Sequence, residues 1–247
     1  PEDGCLVINA GIPDYQEIVG DLACRIVTFG TTQEADYFPS DIAYDEKGDP
    51  SFVLHGADGS CTQVDLQVPG EHNILNALAA AAVADLLSIE KDCTVRALHG
   101  FTGTDRRFEY KGSIGGVTVI DDYSHHPTEI AAALKAAARY PHKTLWCVFQ
   151  PHTYSRTKAF LKEFAQTLTL ADKVVLADIY AARETDTLGI SSETLQQEIL
   201  ALGRECYYFP SFDEIENFLL ENCINGDMLI TMGAGDVVKV GENLLGL

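Results

Sequence analysis

From residue 107 to the end of the chain, short apolar runs alternate with amphipathic stretches, and that rhythm leaves few folds open. FEYKGSIGGVTVIDDY reads as a strand, a Gly-rich turn and a second strand. Helix 127–139 follows, with Pro127 near its first position, where a missing N–H costs nothing. Strand 144–149 leads into helix 156–170, whose Phe160, Leu161, Phe164 and Leu168 share one face. Strand 173–177, helix 192–202 with Leu195, Ile199 and Leu202 in register, strand 206–209, helix 211–222, strand 227–232 and helix 236–245 complete the series. Such alternation predicts an α/β fold with a mainly parallel sheet covered by helices on both faces. Ligands in that architecture sit beyond the carboxyl ends of the strands.

The residues before 107 have another texture. CLVINA (5–10) and CRIVTFG (24–30) read as strands around a helical segment near 13–22, and 51–68 as two strands joined by an Ala57-Asp58-Gly59 turn. PGEHNILNALAAAAVADLL places apolar side chains at 75, 78, 79, 82, 83, 86 and 87, a helical spacing. Many of them are alanine, which predicts a close approach to a sheet or another helix. KDCTVRALHGF (91–101) reads as a second, shorter helix. The change of texture divides the chain into 1–106 and 107–247, and 247 residues suffice for two ordinary domains.

Several classes are disfavoured. No apolar run reaches the ~18 residues of a membrane helix; the longest candidate, 74–89, is broken by Asn76 and Asp85. No signal peptide is read at the start, where Pro1 stands in place of Met and a strand opens almost at once, so the chain reads as a fragment or a processed product. The 7 cysteines are odd in number, widely spaced and without a C-x-x-C, which points to reduced, cytoplasmic thiols rather than a disulfide framework or structural zinc. A net charge of −20 argues against nucleic acid and anionic membranes as partners. Residues 101–160 nevertheless carry 8 basic side chains against 5 acidic ones, an island suited to a small anionic ligand.

Two stretches bring chemistry to the carboxyl ends of strands. DDYSHHPTEI (121–130) hangs over the end of GGVTVI, and FQPHTYSRT (149–157) over the end of TLWCVF. The two strand ends, taken as neighbours, deliver three histidines, two tyrosines, an arginine and two acids to one rim. The helix that follows each loop offers free N–H groups and a partial positive charge, both favouring an anion. Helix caps would explain one such loop; two loops at one rim point to a site. His125, His126 and His152 with Glu129 or Asp122 also raise a metal site, although adjacent histidines point apart and no metal is assigned. Arg106 and Arg107 stand at the change of texture, where a planar guanidinium suits phosphate oxygens. His72, Asn73 and Asn76 share the first turn of a helix, and Asn can present donor and acceptor together to an adenine edge. MLITMGAGDVVKVG (228–241) has the strand–Gly-x-Gly–helix order of a dinucleotide turn, but the pattern is G-x-G-x-x-V, and glycines for a tight turn are the simpler reading. The polar stretch 178–193 follows another strand end and lines the same rim. No G-x-x-x-x-G-K-[ST] occurs.

PGEHNILNALAA, GTDRRFEY, DDYSHHPTEI, FQPHTYSRT, DIYAARE and MGAGDVVKVGE, in that order, closely resemble the bacterial Mur ligases of cell-wall (peptidoglycan) synthesis. The resemblance runs along essentially the whole chain but spans only the last portion of such a ligase. It implies a partial central ATPase-domain sheet in 1–106 and a complete Rossmann-like amino-acid-binding domain in 107–247, without the UDP-binding domain, the P-loop or the metal-binding acid. It also implies an ATP-dependent acid–amino-acid ligase: ATP phosphorylates the carboxylate of UDP-N-acetylmuramate, and the amine of L-alanine attacks the acyl phosphate. Carried over, His72, Asn73 and Asn76 would hold adenine, Arg107 would reach the ATP phosphates across the domain junction, and Asp122 would hold the ribose. Tyr123, His125, His152 and Arg156 would line the amino-acid side, with His125, His152, Arg156 and Arg107 in catalytic roles. Thr153 stands where some relatives have arginine. Two Mg²⁺ ions would be held mainly by residues outside this chain, an exposed half-domain would invite self-association, and the 247 residues alone would not ligate. Two other readings remain: a stand-alone nucleotide-binding module using the 233–236 turn, and a metal-dependent hydrolase on His125, His126 and His152.

Overall fold

The computed structural model describes residues 2–247; Pro1, on which the reading of the chain start rests, lies outside the described residues. The chain forms two compact units, one ending at Thr102 and the other running from Gly103 to Leu247.

In the first unit, β1 (Cys5–Asn9), α1 (Tyr15–Val19) and β2 (Arg25–Phe29) form a two-stranded parallel ribbon. β3 (Phe38–Tyr44), β4 (Pro50–His55) and β5 (Cys61–Asp65) form an antiparallel sheet in the order β3-β4-β5. β3 escapes the sequence reading because Pro39, Ser40 and Asp41 break its apolar alternation, and the pairing with β4 shifts between Ser40 and Ala43. α2 (Glu71–Leu86) and α3 (Lys91–Gly100) follow. The core joins Val27, Phe52, Leu54 and Val64 to Ile74, Ala77, Leu78, Ala81 and Ala82 of α2. The buried residues of α2 are 74, 77, 78, 81, 82 and 84; of the expected 75, 78, 79, 82, 83, 86 and 87, Leu78 and Ala82 are buried, Leu75 and Leu86 pack half-buried against the core, and Val83 and Leu87 are exposed. The reason is size: alanines let the helix pack closely, so the row richest in small side chains wins over the row with more apolar surface.

The second unit opens with the hairpin β6 (Glu109–Ile114) and β7 (Val117–Asp122), then α4 (Pro127–Ala137), β8 (Leu145–Phe149), α5 (Tyr154–Ala159), α6 (Leu161–Leu168), β9 (Lys173–Leu176), α7 (Ser192–Ala201), β10 (Glu205–Tyr208), α8 (Phe212–Asn222), β11 (Met228–Met232) and α9 (Val238–Leu245). The expected single helix 156–170 is two helices hinged at Phe160, whose ring packs against Phe164 and His126. The six-stranded sheet runs β10-β9-β8-β11-β7-β6, parallel except for β6.

Strand residues of alternate parity face two separate cores. Cys147, Phe149, Val174, Leu176 and Ile230 meet α4, α6 and α7. Trp146, Val148, Val175 and Leu229 meet α8 and α9. Steps β7 to β10 move one way across the sheet, and the return to β11 moves the other way. Right-handed crossovers then require opposite faces for the two directions. The loops after β8 and β7 leave toward one face and the loop after β11 toward the other, which opens a crevice at the carboxyl ends. β7 and β8 are thus not neighbours, as the sequence reading took them to be: β11 lies between them.

Candidate active site

At the end of β7, Asp121 is fully buried. Its Oδ1 accepts the Thr231 hydroxyl at 2.6 Å and its Oδ2 the Nε–H of Arg106 at 2.9 Å. Burial pushes this carboxyl above its ordinary range, while the bonds from Thr231 and Arg106 pull it back. The same guanidinium donates to Gly235 O at 3.1 Å and to Gly233 O at 2.8 Å. Arg106, with φ +59°, therefore fastens the start of this unit to the glycine turn after β11. The carbonyls of that turn are filled by the protein's own cation, and this is a structural use of the turn rather than a dinucleotide cradle.

Arg107 is exposed. The two guanidinium carbons lie 4.9 Å (Arg106) and 5.8 Å (Arg107) from the centre of the Tyr123 ring, within cation–π range. Asp122 is buried, with Oδ2 accepting Phe108 N–H at 2.8 Å and Oδ1 accepting Ser124 N–H at 2.9 Å. Both oxygens thus already hold backbone.

The two adjacent histidines have different surroundings. His126 is the N-cap of α4: its Nδ1 accepts Thr128 N–H at 3.3 Å, Glu129 completes a capping box, and its ring packs edge-on against Phe160. His125 turns the other way. Its Nδ1–H donates to Tyr123 O at 3.0 Å, which leaves Nε2 as the acceptor. Its ring centre lies 5.4 Å from Tyr123 and 5.7 Å from His152. Among the described residues no group of three or more His, Cys, Asp and Glu could hold a metal ion.

From β8 come His152, Thr153 and Arg156. His152 stacks on Tyr180 at 5.6 Å and faces Arg156, with Nδ1 and Nη1 3.4 Å apart. Thr153 caps α5 at φ +66° and ψ 146°, a conformation a β-branched residue rarely adopts. Burial first, then Arg156 and His125, hold the His152 imidazolium below its ordinary value of 6.5. The sign follows. Below pH 6.5 the unfolded chain takes up a proton here before the folded one does, so His152 lowers stability as pH falls from 6.5 through its folded value. Imidazole NMR should give His152 a titration midpoint below 6.5, and His152→Gln should flatten that part of the stability–pH curve; a midpoint above 6.5 contradicts the assignment.

Sequence reasoning named the 178–193 stretch but not its contributors. Tyr180 bridges backbone to His152, and Glu184 accepts the Ser155 N–H at 3.0 Å and also its hydroxyl, bonds that hold its carboxyl below the usual range. Gln150 was also missed. It is buried against Gly235, and its Oε1 has no partner among the described residues. The aromatic in DIYAARE was the available signal for Tyr180. Residue type and spacing do not separate Arg106 from Arg107; only the family resemblance singled out Arg107.

The rim thus brings together Arg107, Tyr123, His125, His152 and Arg156, with Asp122 beneath. His72, Asn73 and Asn76 belong to the first unit, on the first turns of α2. There Asn76 Nδ2 donates to Asn73 Oδ1 at 3.0 Å, and Asn73 Nδ2 to Pro69 O at 2.8 Å. The amide pair borders a groove of about 540 Å³ walled mainly by Leu66, Val68, Ala77, Ala80 and Leu98.

Comparison with known proteins gives this geometry a context. Residues 106–235 match the family model described as Mur ligase, glutamate ligase domain, and residues 1–84 match that of the Mur ligase middle domain. The chain is 55% identical to the UDP-N-acetylmuramate–L-alanine ligase of Lachnospira eligens over 99% of this chain and 54% of that protein. It is 54% identical to the ligase of the same name from Agathobacter rectalis, over 98% of this chain and 53% of that one. It therefore spans about half the length of these curated relatives. Among solved structures, the UDP-N-acetylmuramate–alanine ligase of Thermotoga maritima is 27% identical, with a TM-score of 0.75 over 89% of this chain and 47% of its own. MurF of Acinetobacter baumannii, 18% identical with a TM-score of 0.78 over 99% of this chain and 52% of its own, shares the fold. Matched in turn by the middle domain and the glutamate ligase domain, the chain belongs to the Mur ligase family.

Proposed function

We propose that this chain works within an ATP-dependent ligase that joins L-alanine to the carboxylate of UDP-N-acetylmuramate, through an acyl phosphate, in cytoplasmic peptidoglycan synthesis. The observation that carries the reading is the convergence of Tyr123, His125, His152 and Arg156 on one rim, in a chain whose relatives of that name are 54–55% identical over nearly all of it.

The roles follow from chemistry. Arg156 offers a fixed positive charge for the alanine carboxylate. Attack on an acyl phosphate needs a neutral amine, and His152, whose charged form burial and Arg156 disfavour, can take the ammonium proton. His125 Nε2 offers a second acceptor beside it, and the Tyr123 ring limits the room for a larger amino acid. Exposed Arg107 would meet phosphate oxygens, Asp122 the ribose, and the amide pair of Asn73 and Asn76 with His72 the edge of adenine, whose flat apolar faces suit the groove beside them. Catalysis of this kind is mostly positioning and charge neutralisation. The described residues do not fit a Mg²⁺ cage, and the ions implied by the family resemblance are assigned to none of them.

The 247 residues contain no P-loop pattern. Supplied with ATP, Mg²⁺, UDP-N-acetylmuramate and L-alanine, they should release no alanine-dependent phosphate in a coupled assay and should bind nucleotide only weakly. Clear ligation by the purified chain contradicts this part of the reading.

A further inference from the structure

A separate cluster of reactive side chains lies on the three-stranded sheet of the first unit and uses none of the residues assigned above. His55 on β4 pairs across the ladders with Phe38 on β3 and Cys61 on β5. Its ring lies flat on Phe38, with centres 4.4 Å apart and planes within 4°. β3 is irregular between Ser40 and Ala43, with Asp41 at φ +52°. Such irregularities re-aim side chains, and here the Asp41 carboxylate accepts the Ser40 hydroxyl proton at 2.9 Å. With that proton committed, Ser40 Oγ accepts from His55 Nε2–H at 2.8 Å. The tautomer is thereby fixed, and Nδ1 becomes the acceptor facing Cys61 Sγ at 3.3 Å. The thiol's other contact, Gly59 O, is longer at 4.0 Å. Cys61 is exposed.

We propose that Cys61 is a nucleophilic thiol served by the His55–Ser40–Asp41 relay and a site of reversible modification by low-molecular-weight disulfides. Packing gives no reason for three linked polar groups behind an exposed sulfur, whereas an oriented base beside a thiol is how cysteine is made nucleophilic. The thiol proton passes from Sγ to His55 Nδ1, and the resulting imidazolium is supported through Ser40 by the Asp41 carboxylate. The thiolate pair attacks one sulfur of the incoming disulfide. The new Cys61 Sγ–S bond forms as the old S–S bond breaks, and the departing thiolate takes the proton back from His55. The disulfide is the oxidant, and one free thiol is released per adduct.

The test uses the whole chain. Alkylation by iodoacetamide at pH 7 is followed by peptide mapping, with Cys5, also exposed, as the internal reference. Cys61 should react about tenfold faster than Cys5. His55→Gln should bring it down to the Cys5 rate, and Asp41→Asn to a rate between the two. Glutathione disulfide should leave one glutathionyl group on Cys61, reversible by dithiothreitol and absent in Cys61→Ser. Asp41→Asn keeps both thiol and imidazole and decides the matter if His55→Gln does not fold. Equal rates for Cys61 and Cys5, indifference to Asp41→Asn, or an adduct mapping to another cysteine overturns the proposal.

Discussion

Arg106→Ala should lose about 3–5 kcal/mol of stability at neutral pH, the usual cost of leaving a buried charge without its partner. The carboxylate left behind is Asp121, fully buried and held from the other side by Thr231. The same change frees the carbonyls of Gly233 and Gly235, so the turn between β11 and α9 should loosen too. Burial already raises the Asp121 carboxyl above its ordinary 3.8, and removing the cation raises it further. A group raised on folding contributes stability that is full below its unfolded value and is lost as pH rises through its folded value. The deficit of Arg106→Ala should therefore be largest at pH 7 and shrink as pH falls toward 4. Urea unfolding of parent and variant at pH 7 and pH 5 measures both; a deficit under about 1 kcal/mol, or one indifferent to pH, contradicts the clamp.

Gly235→Val should damage the rim itself. A Cβ at Gly235 would stand 2.3 Å from Gln150 Oε1 and 3.0 Å from Tyr180 Cγ. Gln150 is buried, so its amide must turn aside within the protein, and Tyr180 carries the stacked ring of His152. The overpacking should cost about 1–3 kcal/mol. In a complete ligase the displaced imidazole should cost about 100-fold in rate, the scale of a misplacement near 1 Å. Thermal melts and ligation rates separate the two effects. A variant that ligates at the parent rate would mean that His152 does not depend on this packing.

Much of the second unit was legible because β7, β8, β9 and β11 are buried along almost their whole length and read as largely apolar runs. β3 was not, since Pro39 and a bulge hide its period. The insertion of β11 between β7 and β8 is a long-range choice that no local pattern encodes. At the rim, residue types were readable and directions were not. His125 and His126 are adjacent and of one type, yet one serves the crevice and the other caps a helix. Arg106 and Arg107 divide in the same way, one tied to Asp121 and two carbonyls and the other exposed. The histidines sit where the chain leaves β7 and the arginines where it enters β6, and in both places the backbone sets the direction, with single-residue dihedrals that follow from tertiary bonds rather than from propensity.

The central claim is that the carboxyl rim of the six-stranded sheet holds L-alanine for ligation. Its most direct measurement is L-alanine-dependent phosphate release from ATP, with UDP-N-acetylmuramate present, by this chain joined to the amino-terminal part of the Lachnospira eligens relative. The joined protein should ligate, His152→Ala and Arg156→Ala should each lower the rate about 100-fold or more, and His126→Asn, which keeps the helix cap, should match the parent. A folded, ATP-hydrolysing protein that ignores L-alanine, or one in which His152→Ala and Arg156→Ala ligate as fast as the parent, contradicts the claim.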